Sequence, residues 1–221
     1  MITPRLEKII EMIKTDKIAD IGTDHAYIPI KLAQQDKIKK AIACDLNKGP
    51  LQIAAENIER YNFSEIIETR LGDGLNPLKK DEVTEIIIAG MGGKLISDII
   101  EENIDIANSA TLILQPMNAQ YELRKKLFEL GFKIESEELS KEGYKIYNII
   151  VAKVGCDDEK TEFEYHIPKS VINHPLYPML YAKKKREFSK ILNGNIKSEN
   201  KDEKIISYYK EMLFELEKTV K

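Results

Sequence analysis

The sequence of 221 residues lacks tryptophan, has only two cysteines and has no long apolar run. Cys44 and Cys156 show no Cys-x-x-Cys or Cys/His spacing, so a disulfide framework or a structural metal site has little support. No apolar run approaches the ~20 residues that a bilayer-spanning helix needs. The first residues, MITPRLEKIIEMIKTDK, place apolar side chains at helical spacing among charges, unlike a secretory signal. We therefore expect a cytoplasmic protein without a bound metal.

The composition, 43% hydrophobic and 32% charged, is typical of a soluble globular protein, and the length suits one full core plus a small appendage. Charge is unevenly distributed. Residues 165–221 contain 12 Lys and Arg against 7 Asp and Glu, a net charge of +5, whereas residues 1–164 contain 22 against 30, a net charge of −8. The basic end permits an anionic partner, although a solvated helix face produces the same count.

Short apolar strands alternate with amphipathic helices along most of the chain. The strand-like segments are KIADIG, KAIACD, IETRLGD, TEIIIAG and ATLILQP. The segment NAQYELRKKLFELG reads as a helix whose end at Gly131 suits a left-handed cap. This alternation predicts an α/β fold in which helices cover both faces of a parallel sheet.

A hairpin is predicted to close one edge of that sheet. The segment FKIESEELSKEGYKIYNIIVAKVG has two strand-like runs around the turn Lys141-Glu142-Gly143 and no helix between them. Five parallel strands followed by an antiparallel pair is the chain order of class I methyltransferases that use S-adenosylmethionine. We therefore predict a Rossmann-like domain over residues 1–155.

Residues 156–221 are predicted to form a linker and a small helical domain. The linker CDDEKTEFEYHIPKSVINHPLYP precedes two helical segments, MLYAKKKREFSKIL and KIISYYKEMLFELEKTV, with a loop containing a Gly-Asn turn between them. The second helix has a heptad-like seam of Ile205, Tyr209, Met212, Leu216 and Thr219. The pattern predicts an antiparallel coiled-coil hairpin.

The turn after the first strand, in ADIGTDHAYIPIKL, indicates a ligand site. Asp20 and Gly22 would lie at the carboxyl edge of the sheet, where such folds bind nucleotides. The later glycines of a dinucleotide fingerprint are missing, and Asp24 occupies the position where the backbone would approach a pyrophosphate. That carboxylate would be repelled by roughly 4 kcal/mol per charge pair at ~4 Å, with an effective dielectric near 20. A dinucleotide is disfavoured, whereas S-adenosylmethionine, which is cationic and has no phosphate, suits an acidic site.

Two further carboxylates are candidates for the same ligand. Asp45 ends the second strand, at the usual distance from Gly22 for a carboxylate that accepts hydrogen bonds from ribose hydroxyls. Asp73 follows the third strand and could accept a bond from an adenine amino group. Asp is common at turns, so each alone is weak support. Together with Asp20 and Gly22, they favour a bound adenosyl group.

The fourth and fifth strands end in AGMGG and LILQPMN. Gly90, Gly92 and Gly93 could let a ligand or flat substrate approach the backbone, or could simply form a tight turn. Asn118 could contact a nucleobase, or could cap the next helix. His25 could be a turn residue or contact a cofactor carboxylate, and the sequence does not separate these alternatives.

The motifs ADIGTDHAYIPIKL, ACDLNKGPLQIAAENI, RLGDGL, IIIAGMGGKLI and LILQPMN together resemble the bacterial tRNA (adenine-N1)-methyltransferases that act at tRNA position 22, the TrmK family. The resemblance implies transfer of a methyl group from S-adenosylmethionine to N1 of an adenine in tRNA. It implies a cofactor site formed by Asp20, Gly22, Asp24, His25, Asp45, Leu46, Asp73, Gly74, Gly90 and Met91.

The implied reaction needs no general base, because N1 of adenine has a free lone pair in the ring plane. Correct positioning could supply most of the acceleration. The target base must leave its stack before reaction. We assign the target-base contacts to Gln115, Pro116 and Asn118. The tail would then bind tRNA through a basic block interleaved with aromatics, although a solvated helix would show the same pattern. The residues of this block are Lys183, Lys184, Lys185, Arg186 and Lys190.

The sequence is also compatible with two other functions. One is a methyltransferase of the same fold with a small-molecule or protein substrate, and another is a non-catalytic RNA-binding protein that retains a bound S-adenosylmethionine. A monomer is expected. The target position within tRNA depends on the resemblance alone.

Overall fold

The computed structural model describes residues 2–220. The chain divides between residues 158 and 159 into two compact units. In the first unit the helices are α1 (Pro4–Met12), α2 (Tyr27–Gln34), α3 (Lys48–Arg60), α4 (Gly93–Glu102), α5 (Ile104–Ala107) and α6 (Gln120–Glu129). Its strands are β1 (Lys17–Ile21), β2 (Lys40–Asp45), β3 (Ile67–Leu71), β4 (Glu85–Met91), β5 (Thr111–Pro116), β6 (Phe132–Glu142) and β7 (Lys145–Val154).

All seven strands form one sheet in the order β3-β2-β1-β4-β5-β7-β6. Strands β1 to β5 are parallel, and β7 is antiparallel to both β5 and β6. The predicted Rossmann-like sheet with a closing hairpin is therefore confirmed. The chain order reverses between β1 and β4, and open α/β sheets bind ligands in the crevice outside the carboxyl ends of the strands at such a point.

Both faces of the sheet are buried, which explains why its central strands are apolar throughout. Ile86 and Ile88 of β4 pack in one hydrophobic cluster, whereas Ile87 between them packs in a second cluster on the opposite face. Successive side chains of a strand point to opposite faces, so a strand covered on both sides cannot alternate with polar residues. The predicted glycine cap of α6 is also present, with Gly131 at φ +78°.

A buried ionic cluster attaches the hairpin to α6. Arg124 Nε donates to Glu137 Oε2 over 2.9 Å, and Asn148 Nδ2 donates to Glu137 Oε1 over 2.6 Å. The side chains of Arg124 and Glu137 are 1% and 0% exposed. Removing either charge would leave the other buried and uncompensated, so loss of one partner should strongly destabilise the contact between the hairpin and α6.

Helix α1 is attached to both ends of the sheet. Buried Glu85, at the start of β4, accepts hydrogen bonds from the backbone N–H groups of Lys14 and Thr15. At the other end of the helix, the backbone N–H of Arg5 donates to Glu142 Oε1 over 3.1 Å. The first turn of α1 is thereby held near the carboxyl ends of the parallel strands.

The second unit contains α7 (Glu162–His166), a short 3-10 helix (Lys169–Val171), α8 (Tyr177–Lys197) and α9 (Glu203–Lys218). Helices α8 and α9 pack together as the expected helical hairpin. The segment predicted as a linker is in part ordered structure. Phe163, Tyr165, Ile167 and Val171 are buried, because this segment supplies apolar side chains to the core of its own unit.

Two details of the predicted hairpin are wrong. Helix α8 continues through Gly194 to Lys197, so the connection is residues 198–202 and contains no Gly-Asn turn. A glycine inside a helix costs only about 1 kcal/mol, which the surrounding helix outweighs. In α9, Ile206 is 7% exposed and Ile205 is 36% exposed, so the seam begins one residue later than predicted. No helix among residues 2–220 is long and apolar enough to cross a bilayer.

Candidate functional site

A cavity of about 400 Å³ lies at the carboxyl ends of β1, β2 and β4. We call it the donor cavity. It is lined by Arg5, Leu6, Asp20, Gly22, Asp24, Tyr27, Ile28, Asp45, Ala89, Gly90, Met91 and Met117. Its size falls in the range of small-molecule pockets, and it lies where the topology predicts a ligand.

The turn after β1 brings the backbone close to Met91. Gly22 has φ +71°, and a Cβ atom built on it would lie 2.3 Å from Met91 Cε. The next residue, Thr23, donates its backbone N–H to the carbonyl of Cys44 in β2 over 2.8 Å. The left-handed backbone conformation favours glycine at this position. Because glycine has no side chain, Met91 is free to line the cavity.

Asp20 is the buried carboxylate of the donor cavity, with 5% of its surface exposed. Thr23 Oγ1 donates to Asp20 Oδ2 over 2.7 Å. The pKa of Asp20 is raised to about 6, mainly by burial and also by the nearby carboxylates of Asp24 and Asp45, against the opposing effect of the Thr23 hydrogen bond. A cation in the cavity would stabilise the ionised form, so this arrangement is suited to a positively charged ligand.

Two more carboxylates line the same cavity. Asp45 Oδ1 accepts the backbone N–H of Asn47 over 2.7 Å, which fixes the carboxylate at the end of β2. The Asp24 side chain is 79% exposed, and its Oδ1 lies 3.0 Å from His25 Nε2. His25 is not among the residues that line this cavity and instead lines a neighbouring one.

The three glycines of AGMGG differ in their surroundings. Gly90 has φ +81°, lines the donor cavity, and would bring an added Cβ within 3.8 Å of Arg5 Nη1 only. Added Cβ atoms on Gly92 and Gly93 would lie 3.0 Å from Asn118 Oδ1 and 2.3 Å from the Ala119 carbonyl oxygen. Gly92 and Gly93 thus serve the tight packing of two turns, whereas Gly90 leaves open space toward a ligand.

Arg5 was not predicted from the sequence as a site residue. Its Nη1 donates to Gln115 Oε1 over 2.5 Å, and Gln115 Oε1 also accepts the backbone N–H of Gly90 over 3.2 Å. The guanidinium lies 5.7 Å from the ring centroid of Tyr147. No local motif marks Arg5, because it reaches the site from α1 and contacts a residue 110 positions later in the sequence.

The predicted cofactor residues separate into two groups. Six of them line the donor cavity: Asp20, Gly22, Asp24, Asp45, Gly90 and Met91. The others lie outside its lining: His25, Leu46, Asp73 and Gly74. Leu46 is 61% exposed, directly after Asp45. Asp73 is exposed on the loop that follows β3.

The residues predicted to contact the target base lie at the rim of the donor cavity or behind that rim. Gln115 and Pro116 are buried, and Gln115 Nε2 donates to the Pro116 carbonyl over 3.0 Å. Asn118 is exposed beside Gly92, and the cap position of α6 belongs to Ala119, without a side-chain hydrogen bond. Met117, between them, is 41% exposed and lines the donor cavity.

The basic block of the tail lies on α8, but its members differ in exposure. The Lys184 side chain is 11% exposed and pairs with Glu187 at 3.1 Å. Lys185 pairs with Glu217 at 3.3 Å. Arg186 and Lys190 are exposed, and Lys183 is half-buried. Within residues 2–220 there is no group of three or more His, Cys, Asp or Glu residues suited to hold a metal ion.

Comparison with known proteins gives consistent matches. The family model described as a methyltransferase domain matches residues 2–150. The tRNA (adenine(22)-N(1))-methyltransferase of Bacillus subtilis is 36% identical over 159 residues, 71% of this chain and 67% of that protein.

Two solved structures cover almost the whole chain. The B. subtilis M1A22 tRNA methyltransferase TrmK has a TM-score of 0.90 at 25% identity, with 100% of this chain and 99% of that chain covered. The M. capricolum TrmK in complex with S-adenosyl-homocysteine has a TM-score of 0.83 at 27% identity, with 99% and 97% covered. The chain therefore belongs to the methyltransferase-domain family and, within it, to the TrmK family of tRNA (adenine(22)-N1)-methyltransferases.

Proposed function

We propose that this protein transfers the methyl group of S-adenosylmethionine to N1 of the adenine at position 22 of tRNA. The observation that carries the proposal is the donor cavity, in which three carboxylates and two left-handed glycines meet at the topological switch point of a TrmK-family sheet. The TrmK of M. capricolum, which is similar over nearly its full length, holds S-adenosyl-homocysteine.

The residues present fit this cofactor. Bound S-adenosylmethionine supplies a methyl group on a positively charged sulfur. Asp45, held at the end of β2, would accept hydrogen bonds from the ribose hydroxyls. Asp20 and Asp24 provide negative charge for the ammonium and the sulfonium. Gly22 and Gly90 keep the backbone accessible, because neither has a side chain to occupy the cavity.

Positioning is the main contribution that this chain makes to the reaction. Adenine N1 carries a free lone pair, so no side chain needs to remove a proton before attack. Gln115 is best assigned as a positioning residue, since its amide connects Gly90 to Arg5 and is buried. Gly90 and Met117 offer a surface against which an extruded base can lie. The methylated base is cationic, and the carboxylates of the cavity favour the charge that develops on it.

The remaining assignments are part of the same proposal. Residues 1–155 hold the cofactor and the target base, and residues 156–221 contact the body of the tRNA through the exposed basic side chains of α8. His25, Leu46, Asp73 and Gly74 lie near the ends of β1, β2 and β3 and would complete the site around the adenosyl group. The protein would work as a cytoplasmic monomer.

The direct test is to incubate the protein with unmodified tRNA and isotopically labelled S-adenosylmethionine, and then to locate the label by mass spectrometry of nuclease fragments. We expect one 1-methyladenine at position 22, and none in a matched tRNA with guanine at that position. Cofactor binding without tRNA methylation would contradict the proposal and favour another substrate or a non-catalytic role. Label at a different adenine would contradict the proposed position.

A further inference from the structure

A second cavity of about 410 Å³ opens next to the donor cavity. Tyr27, the first residue of α2, lines both cavities, so their walls are continuous. The second cavity is formed mainly by side chains of α2 and α3 and is lined by Ile2, His25, Tyr27, Ile30, Lys31, Gln34, Asn57, Arg60 and Tyr61. Of its lining residues, only His25 belongs to the cofactor contacts proposed above, so most of this cavity has no assigned role.

The second cavity carries positive charge. Lys31 from α2 and Arg60 from α3 both line it, and no residue with a carboxylate side chain is among its lining residues. The side chains of Lys31 and Arg60 have no hydrogen-bond or ion-pair partner among residues 2–220. Residues 1–164 have a net charge of −8, so two unpaired cations at one cavity contrast with the negative charge of this part of the chain. Their free donors are available to an anion.

The same cavity offers an aromatic face. Tyr61, at the end of α3, is 49% exposed, although it is a large side chain with apolar surface. Asn57 Nδ2 donates to the carbonyl of His25 over 3.2 Å, which ties the turn after β1 to α3. His25 and Ala26 in that turn both have left-handed backbone conformations, with φ 59° and 56°. The wall between the two cavities is therefore built from a fixed turn.

We propose that the second cavity binds a nucleotide of the RNA substrate close to the target adenine, with its phosphate on Lys31 and Arg60 and its base stacked on Tyr61. Unpaired cations next to an exposed aromatic ring are the combination with which proteins hold single-stranded nucleic acid. The continuous wall at Tyr27 places this nucleotide beside the one that enters the donor cavity. The inference rests on the proposed function, since it requires an RNA substrate.

The test measures tRNA affinity and its salt dependence for the full chain. The double substitution Lys31→Ala/Arg60→Ala should weaken tRNA binding at least tenfold and reduce the slope of log K against log salt by about 1.5 to 2. The tRNA KM should rise, while the affinity for S-adenosyl-homocysteine stays unchanged. Tyr61→Ala should weaken tRNA binding roughly five- to fiftyfold, and Tyr61→Phe should restore it, because stacking needs only the ring.

The matched control is Lys79→Ala/Lys80→Ala. These two exposed lysines lie in the loop before β4, at the amino ends of the strands, so the control removes the same charge from the opposite edge of the sheet. It should leave tRNA affinity within about twofold, since phosphate contacts act locally. Thermal unfolding of every variant checks that the fold is retained.

The outcomes separate the inference from the proposed function. If the unsubstituted protein methylates tRNA and the Lys31/Arg60 and Tyr61 variants match the control, the second cavity is not an RNA site, and the proposed function stands. If the unsubstituted protein neither binds nor methylates tRNA, the proposed function itself has failed. A third outcome would favour a free nucleotide as the occupant of the second cavity. In that case free adenosine monophosphate would protect the residues of this cavity as well as tRNA does, and the variants would methylate tRNA with unchanged kinetics. This result would overturn the RNA assignment.

Discussion

The donor cavity and the second cavity share Tyr27 but have opposite charge. In the donor cavity, Asp20 and Asp45 come from strand ends and are held by short hydrogen bonds. In the second cavity, Lys31 and Arg60 come from helix faces and are unpaired among the residues that the structure describes. The comparison shows that the carboxylates of the donor cavity are fixed at strand ends by hydrogen bonds, whereas the two cations of the second cavity lie on helix faces without such bonds.

The two cavities also differ in how much they destabilise the folded state. A buried carboxylate such as Asp20 loses hydration that its single Thr23 hydroxyl bond does not fully replace, and its raised pKa records this loss. Half-exposed cations keep most of their hydration, so the second cavity imposes little penalty. Stability and ligand affinity should therefore oppose each other in the donor cavity and be independent in the second.

The largest expected effect comes from Asp20→Asn. Between the ordinary pKa of 3.8 and the folded pKa of about 6, the folded state binds more protons than the unfolded state, so ionisation of Asp20 destabilises the fold as pH rises through this range. The variant should be more stable than the original protein at pH 7.5, by up to about 3 kcal/mol, and the gap should close near pH 4. Urea unfolding at both pH values measures this.

The matched control for that prediction is Asp24→Asn, since the Asp24 side chain is largely exposed. It should shift the free energy of unfolding by less than about 0.5 kcal/mol at either pH. Asp20→Asn should also weaken binding of S-adenosylmethionine although it stabilises the fold. A variant that loses stability at pH 7.5 would mean that the hydrogen bond with Thr23 outweighs the burial of the charge.

The next effect is expected at Asp45. Asp45→Asn should weaken binding of S-adenosyl-homocysteine about thirtyfold, or about 2 kcal/mol, because charge-assisted hydrogen bonds to the ribose are lost. Asp73→Asn, at a position outside the lining of the donor cavity, should weaken it by less than about fivefold. Isothermal titration calorimetry of both variants ranks them. A larger loss at Asp73 would contradict the ranking that the cavity lining implies.

Gly22→Ala should cost about 1 to 2 kcal/mol of stability, because an alanine at φ +71° is strained. The new Cβ would also push the flexible end of Met91 into the donor cavity, and cofactor affinity should fall about tenfold or more. The control is Gly194→Ala, inside α8 with open space around it. That substitution should stabilise the protein by up to about 1 kcal/mol and leave cofactor affinity unchanged, as differential scanning calorimetry and titration would show.

The smallest effect is expected from the tail. Replacing Lys183, Lys184, Lys185 and Arg186 with Ala should weaken tRNA binding and leave cofactor binding intact. Lys184 and Lys185 already pair with Glu187 and Glu217, so we expect about a fivefold loss, smaller than that of Lys31→Ala/Arg60→Ala. Filter binding at several salt concentrations measures both sets. Unchanged tRNA affinity and salt slope would remove the tail from the RNA-binding surface.

Local patterns predicted the sheet and much of the donor cavity. Strand β2 lies at the predicted residues and ends at Asp45, and the turn after β1 places Asp20 and Gly22 in the cavity. Local patterns failed at two points of the helical hairpin. The seam of α9 begins at Ile206 and not Ile205, because packing against α8 decides which side chains are buried. Helix α8 runs through Gly194, because one glycine costs a helix only about 1 kcal/mol.

The sequence by itself determined the order of strands and helices along the chain and the carboxylates at the strand ends, since each depends on neighbours a few residues away. Only the tertiary structure decided that Arg5 of α1 reaches Gln115 of β5, and that Lys31 and Arg60 meet at one cavity. Those contacts join segments that are far apart in the chain. Their positions follow from how helices pack across the sheet, which no short stretch of sequence encodes.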